Sequence, residues 1–193
     1  AYEFLKRAVD IASATLLGIL ALPLIPLIAC AIYLGTPGQV FYRQKRIGRH
    51  GRIMEITKFR SMYVGAESSG ARWADENDPR VTNVGRFLRK SRLDELPQFW
   101  SVLKGDLSLI GPRPERPEFV ELLTRKIPFY QMRHLVKPGL SGWAQINFPY
   151  GASVEDALEK LQYDLAYIKN RSVWLDLTIA LRTTVILVSR EGR

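Results

Sequence analysis

Cysteine and histidine are nearly missing from this chain of 193 residues, and acids are outnumbered by bases. Its single cysteine, Cys30, excludes an intrachain disulfide, and no Cys/His cluster has the spacing of a structural zinc site. The only two histidines, His50 and His134, have no serine or cysteine partner in a recognisable triad context, which argues against a hydrolase built on them. His50 is expected in an exposed loop; His134, beside Arg133, is expected either at the surface or against an anion. Internal repeats and low-complexity tracts are absent as well. Against 19 acidic residues stand 28 basic ones, a formal charge of +9. That balance favours anionic partners, whether nucleic acid, acidic lipid head groups or phosphorylated small molecules. At this length the chain forms one core, or a core with an appended element.

Charge is missing altogether from Ile11 to Leu34, IASATLLGILALPLIPLIACAIYL. The run exceeds the roughly 20 residues that a helix needs to cross a bilayer. Pro23 and Pro26 stand at its middle, where each removes a helical donor, so a bend is expected there. Lys6 and Arg7 flank one end and Arg43, Lys45, Arg46 and Arg49 the other, and basic flanks normally stay cytoplasmic. A helix that enters the bilayer, breaks near Leu22-Pro23 and returns satisfies both flanks; a kinked span with one basic flank outside is the alternative. A cleaved signal peptide fits poorly, because the run is too long and no Ala-x-Ala-like site follows. The expected division is a re-entrant membrane helix over 1–36 and a domain on the cytoplasmic face over 37–193. Since Ala1 is not methionine and the apolar run begins almost at once, a fragment of a longer protein is expected.

Val40 to Gln44 and Ile53 to Met62, on either side of a basic loop from Lys45 to Gly51, read as a β-hairpin. A period of two puts Lys58 and Arg60 on one face of its second strand. Glu67 to Pro79 reads as a polar loop. Val84, Phe87 and Leu88 form a short helical stripe crowded by Arg86, Arg89, Lys90 and Arg92. A helix starting near Pro97 is expected to bury Phe99, Trp100 and Leu103. Gly105 to Pro114 suits a rigid loop that offers backbone N–H groups and the Arg113 guanidinium to an anion. Ser153-x-x-Asp156 predicts a capping box, followed by Val154, Leu158, Leu161, Leu165 and Ile168 at helical spacing. A second helix from near Ser172 is apolar almost all round, which suits either the core or a membrane interface. Within it Asp176 is the outlier, an acid of the helix N-terminus or one aimed at a basic or metal site. The expected fold is therefore α+β and mainly helical: a re-entrant membrane segment, a small β-hairpin and a compact helical domain with amphipathic interface helices.

Asp94 and Glu95, in Ser-Arg-Leu-Asp-Glu-Leu-Pro-Gln, are the chemically most informative pair. Adjacent carboxylates can divide labour, one attacking a phosphorus centre while the other holds a divalent cation. They can equally mark the start of a helix ahead of Pro97.

An ordered set of motifs runs the length of the chain: Lys6-Arg-x-x-Asp10, Phe41-Tyr-Arg-Gln-x-Arg-x-Gly48, Lys58-Phe-Arg-Ser-Met62, Leu93-Asp-Glu-Leu-Pro-Gln98, Leu103-Lys-Gly-Asp-Leu-Ser-x-Ile-Gly-Pro-Arg-Pro114 and Lys137-Pro-Gly-x-Ser-Gly-Trp-Ala-Gln145. In this set the chain resembles the bacterial polyprenyl-phosphate sugar-1-phosphate transferases, the monotopic phosphoglycosyl transferases. The resemblance implies transfer of a sugar-1-phosphate from a UDP-sugar to undecaprenyl phosphate, with release of UMP, as the first step of a surface glycan such as exopolysaccharide, capsule or O-antigen. It implies a re-entrant helix in the bacterial inner membrane, a catalytic domain on its cytoplasmic face, contact with membrane lipid and no role for nucleic acid; homo-oligomerisation stays open. It also implies Asp94 as the nucleophile, Glu95 as the ligand of Mg²⁺, Lys58, Arg113 and Asp176 in the polar site around the phosphates and metal, and Lys6 and Arg7 at the polyprenyl phosphate. An aspartate with an ordinary pKa of about 4 is ionised at neutral pH and needs no base to attack. Two rival readings remain: the same transfer in a single ternary complex with Asp94 as general base, and a non-catalytic basic module anchored to the membrane. The stretch Ile146-Asn-Phe-Pro-Tyr-Gly151 departs from the family pattern, because several members carry an arginine there.

Overall fold

The uncharged run forms two helices, α1 (Tyr2–Ala21) and α2 (Leu24–Gly35), which meet at a bend of 58°. The break falls at Leu22-Pro23, where the sequence places it. Pro23 is the N-cap of α2 and Pro26 lies in its first turn, positions at which a missing N–H costs no intrahelical bond. The computed structural model describes residues 2–68, 70, 72, 73, 78–148, 151 and 153–189. Among them no single helix is long and apolar enough to cross a membrane, whereas the bent pair together meets that length and composition. The buried positions of α1 are Asp10, Ala14 and Ala21, while Phe4, Leu16, Ile19 and Leu20 face outward, as do Leu27 and Leu34 of α2. Small groups inside and large apolar groups outside is the reverse of a water-facing helix and suits hydrocarbon surroundings.

Strands β1 (Phe41–Ile47) and β2 (Ile53–Phe59) form the expected antiparallel hairpin, with Tyr42 opposite Lys58 and Ile47 opposite Ile53. The connecting turn is tighter than the basic loop suggests. Its 3₁₀ turn, Arg49–Gly51, contains His50 at φ 58°. The ladder ends at Phe59, and this separates Lys58 from Arg60. The Arg60 guanidinium donates to the Thr36 carbonyl and, at 3.1 Å, to Thr36 Oγ1, closing the C-terminus of α2 instead of joining one cationic face with Lys58.

Helix α3 (Asn83–Lys90) is capped by Thr82, whose Oγ1 accepts from the Gly85 amide at 2.9 Å. Leu88 is buried beneath it and Phe87 is exposed. A 3₁₀ turn, Leu93–Gln98, then leads into α4 (Phe99–Lys104). Pro97 thus sits inside the 3₁₀ turn and does not open the following helix. Trp100 is 67% exposed, contrary to the expectation that it is buried. Six residues of helix have one inward face, and Ser101 and Val102 take it. The stretch expected as a continuous loop after Gly105 contains β3 (Ser108–Ile110), paired in parallel with β4 (Gly139–Ser141). Between them lie α5 (Pro117–Lys126) and a 3₁₀ turn, Tyr130–Leu135; α6 (Trp143–Asn147), α7 (Val154–Lys169) and α8 (Val173–Ser189) follow. The capping box that opens α7 is reciprocal, each of its two bonds between Ser153 and Asp156 measuring 3.0 Å. In α8, Ile179 is fully buried but Trp174, Leu181 and Val185 are exposed, so the helix presents an open apolar face. The polar loop over 67–79, the stretch over 146–151 and the C-terminal tail fall partly outside the described residues.

The bent pair rests chiefly on α4 and α3, with β2 adding one buried side chain to each cluster. Ala14 of α1 packs with Ile56, Val102 and Leu107, and Ile28 and Ile32 of α2 pack with Phe59 and Leu88. The bent pair and the remainder of the chain therefore share two of their hydrophobic clusters. A third unites Leu123, Ile127, Tyr130 and Leu161, and a fourth Ile110, Tyr167 and Ile179.

Candidate active site

Asp94 and Glu95 owe their placement to the turn before them. Arg92 is left-handed, at φ 57°, and it reverses the chain so that the 3₁₀ turn Leu93–Gln98 lies across β2. With about three residues per turn, neighbouring side chains on a 3₁₀ turn diverge by about 120°. The two acids accordingly meet different surroundings. Glu95 Oε1 accepts from Lys58 Nζ at 2.7 Å and from Arg113 Nη2 at 2.5 Å. Asp94 is 7% exposed, and its Oδ1 is buried with no hydrogen-bond partner among the described residues.

The Gly-Pro-Arg-Pro loop that delivers Arg113 is braced from every side. The Gly111 amide donates to the Ser141 carbonyl at 2.8 Å, and the Gly139 amide to the Pro112 carbonyl at 2.9 Å. A side chain at Gly139 would collide with the Gly111 backbone, so only glycine permits this approach. Arg46 Nη1 donates to the Pro114 carbonyl at 3.0 Å, and Arg133 Nη2 to the Arg113 carbonyl at 2.9 Å. Arg133 is itself held by Asp164 Oδ2, at 3.0 Å from Nε and 2.7 Å from Nη2, and donates to Tyr130 Oη at 2.7 Å.

Charge and burial drive the two acids apart. Burial acts to raise the Glu95 carboxyl, but Arg113 and Lys58 outweigh it and hold that group well below the usual carboxylate range. Burial also raises Asp94, and the charge of Glu95 adds to the effect against the opposing pull of Lys58, Arg89 and Arg113. Asp94 is therefore not the ordinary carboxylate that the sequence alone suggests. Lys58 is pushed down by burial, with Glu95 opposing. Neighbouring acids whose environments separate them can take separate chemical roles.

No group of three or more His, Cys, Asp or Glu side chains gathers around a metal position among the described residues. Mg²⁺ seldom needs such a cage, since it takes one or two carboxylates and completes its shell with water and substrate phosphate. Glu95, beside the unpartnered Asp94 Oδ1, supplies a donor set of that kind, and Lys58 and Arg113 would share the Glu95 carboxylate with the ion.

Lys58, Glu95 and Arg113 are thus brought together, with Asp94 beside them. Asp176, Lys6 and Arg7 are bonded elsewhere. Asp176, in the first turn of α8, accepts from Lys6 Nζ at 2.9 Å, Tyr2 Oη at 2.8 Å and Tyr167 Oη at 2.8 Å. This second polar cluster borders a cleft lined by Lys6, Arg7, Asp10, Lys137 and Arg171. Arg7 donates to the Val102 and Leu103 carbonyls at 2.6 and 2.7 Å, closing the C-terminus of α4. Asp10, only 4% exposed, accepts from Ser108 Oγ at 3.1 Å and from the Leu109 amide at 3.0 Å. His50 is exposed, whereas His134 is partly buried and lowered to about 4 by burial and by Arg133.

Sequence reasoning passed over Arg133 and Asp164. Asp164 does leave a signal, because it stands among Leu161, Leu165 and Ile168 on the apolar side of α7, where an acid needs a buried partner.

Comparison with known proteins bears directly on this arrangement. A family model described as bacterial sugar transferase matches residues 1–190. The UDP-N-acetylgalactosamine-undecaprenyl-phosphate N-acetylgalactosaminephosphotransferase of Aeromonas hydrophila is 50% identical over 191 residues, covering 99% of this chain and 45% of the relative. The UDP-glucose:undecaprenyl-phosphate glucose-1-phosphate transferase of Escherichia coli is 47% identical over 185 residues, covering 94% of this chain and 39% of the relative. A protein of the same name from Caulobacter vibrioides is 39% identical over 194 residues, covering 100% of this chain and 73% of the relative. The chain spans less than half the length of the first two.

Proposed function

Because the chain belongs to the bacterial sugar transferase family, we propose that it transfers a sugar-1-phosphate from a UDP-sugar to undecaprenyl phosphate, releasing UMP, at the cytoplasmic face of the bacterial inner membrane. The observation that carries this reading is the divergent Asp94–Glu95 pair, one acid locked between Lys58 and Arg113 and the other buried with a free oxygen. A basic module that merely binds anions requires no such pair.

In the first step an Asp94 carboxylate oxygen attacks the sugar-bearing phosphorus. The bond from that phosphorus to the bridging oxygen breaks, and its electron pair leaves with UMP. In the second step a phosphate oxygen of the lipid attacks the same phosphorus and returns Asp94 to its carboxylate. Burial of Asp94 favours the attack by stripping water from the nucleophile. Arg113, held by Glu95 and by the braced loop, and Lys58 offset charge on the diphosphate oxygens. Mg²⁺, bound by Glu95 and substrate phosphate, would add charge neutralisation at those oxygens. The covalent route lets a soluble nucleotide and a membrane lipid visit one small site in turn. The bent pair α1–α2 and the open apolar face of α8 supply the membrane contact this requires.

The test is to incubate the protein with UDP-sugars and Mg²⁺ in the absence of lipid phosphate. The expected result is one equivalent of UMP and a phospho-sugar adduct on the peptide that contains Asp94, both abolished in Asp94→Asn. Turnover in the presence of lipid with no adduct in its absence would instead support a single ternary complex with Asp94 as general base.

A further inference from the structure

Beside Glu95 lies a small cavity lined by Arg46, Ile56, Lys58, Gln98, Arg113, Pro114 and Gly139, with a volume of about 10 Å³. Such a space admits one oxygen-sized group. Two of the side chains that line it have buried polar atoms with no partner among the described residues, Arg46 Nε and Gln98 Nε2. Gln98 is 3% exposed and follows Asp94 by four residues. A carboxamide and a guanidinium N–H left unbonded inside a protein each carry a desolvation penalty that a native fold normally relieves. Both atoms are donors, and the other polar side chains of the lining, Lys58 and Arg113, are cationic. A water here would meet donors on several sides and leave its own hydrogens poorly matched; an anionic oxygen, which only accepts, suits the lining.

We propose that Gln98 and Arg46 form a subsite for one non-bridging phosphoryl oxygen of the diphosphate substrate, next to the Lys58–Glu95–Arg113 frame. The inference rests on the proposed transfer and deepens it, since it assigns Gln98 as a binding residue that orients the phosphoryl group. The neutral carboxamide has a reason to be there. Lys58 and Arg113 already divide their charge with Glu95, and a further donor fixes orientation without adding a cation that competes for the same carboxylate.

The test reads binding, not turnover. The full chain in detergent, with Mg²⁺ present, is titrated calorimetrically with inorganic pyrophosphate, comparing wild type with Gln98→Ala, Gln98→Glu and Arg46→Lys. Replacing the donor by a carboxylate of the same shape is expected to weaken pyrophosphate binding by about tenfold or more, the loss of a charge-assisted bond, and Gln98→Ala by a smaller factor. Arg46→Lys keeps the charge but removes Nε, and the same loss is expected of it should Gln98→Glu fail to fold. If Gln98→Glu and Arg46→Lys both bind within about twofold of wild type, well under the ~1.4 kcal/mol of a tenfold change, the cavity holds a water and the proposal fails; wild type that binds no pyrophosphate overturns it too. UMP release is measured separately. Wild type that turns over while pyrophosphate binding ignores Gln98 sinks this inference alone, and Gln98-dependent binding without turnover sinks the transferase reading alone.

Discussion

Asp10 and His134 show how far single side chains depend on what surrounds them. Asp10 lies in the middle of a helix, where an acid is unremarkable by sequence, yet it is buried and saturated by the Ser108 hydroxyl and the Leu109 amide. Asp10→Ala strands both donors in the interior and is expected to lower stability by about 1–3 kcal/mol, measured by denaturant unfolding in detergent. Asp10→Asn keeps one acceptor and should lose less. His134 faces the cationic Arg133 and the edge of the Tyr130 ring, and it is lowered from 6.5 to about 4 by burial first and Arg133 second. Below pH 6.5 the unfolded chain takes up a proton that the folded chain refuses until about pH 4. Stability from this group is thus complete above pH 6.5 and lost as the pH falls toward 4, by on the order of 2 kcal/mol after allowance for its partial exposure. His134→Gln should flatten that part of the stability profile. At this scale Asp94, Glu95, Lys58 and Arg113 were legible in the sequence, because their motifs are compact. Arg133 and Asp164 were not, since neither stands in any of the motifs that carry the resemblance and their contact joins two distant stretches.

Elements differ in how openly they announce themselves. The break between α1 and α2 and the capping box of α7 follow from local chemistry, a proline without a donor and a serine three residues from an acid, so a short window of sequence suffices. The 3₁₀ turn that carries the two acids does not, because it depends on the left-handed Arg92 and on packing against β2. The pairing of β3 with β4 is equally silent, for three-residue strands have no period to read. The Arg133–Asp164 bridge ties α7 to the turn before β4 and, through the Arg113 carbonyl, to the Gly-Pro-Arg-Pro loop. Arg133→Met would leave Asp164, 1% exposed, as an unpaired buried charge. A loss of about 3–5 kcal/mol is expected, and the double variant Arg133→Met/Asp164→Leu should recover most of it because a matched apolar pair replaces the bridge. Thermal unfolding of the single and double variants in one detergent decides the point.

For the whole molecule, the distribution of exposed apolar side chains makes the membrane reading testable. Trp174 is 76% exposed on α8, while Trp143 packs against the Ile110–Tyr167–Ile179 cluster. In vesicles whose acyl chains carry bromine, emission from a single-tryptophan variant retaining Trp174 should be quenched more strongly than from one retaining Trp143. Equal quenching would place α8 away from the bilayer. The mainly helical α+β class and the hairpin were legible because hydrophobic pattern and turn residues agree along the chain. The sharing of cores between the bent pair and the rest was not, since Ala14 and Ile28 give no sign of their distant neighbours Ile56 and Phe59.

Arg7 and Asp10 lie one turn apart on α1 and both grip the segment from Val102 to Leu109. From Asp10 to the break at Leu22 is about 18 Å of helix at the usual rise. That length is a plumb line of fixed measure, hung from the same segment that carries the α4 carbonyls and β3. In the proposed membrane placement, a thicker or thinner bilayer cannot be met by sliding α1, because the next register that returns both side chains to one face lies about a full turn away. Hydrophobic mismatch in that placement would be taken up by the lipid around the bend or by α2, with Asp94 expected to keep its height.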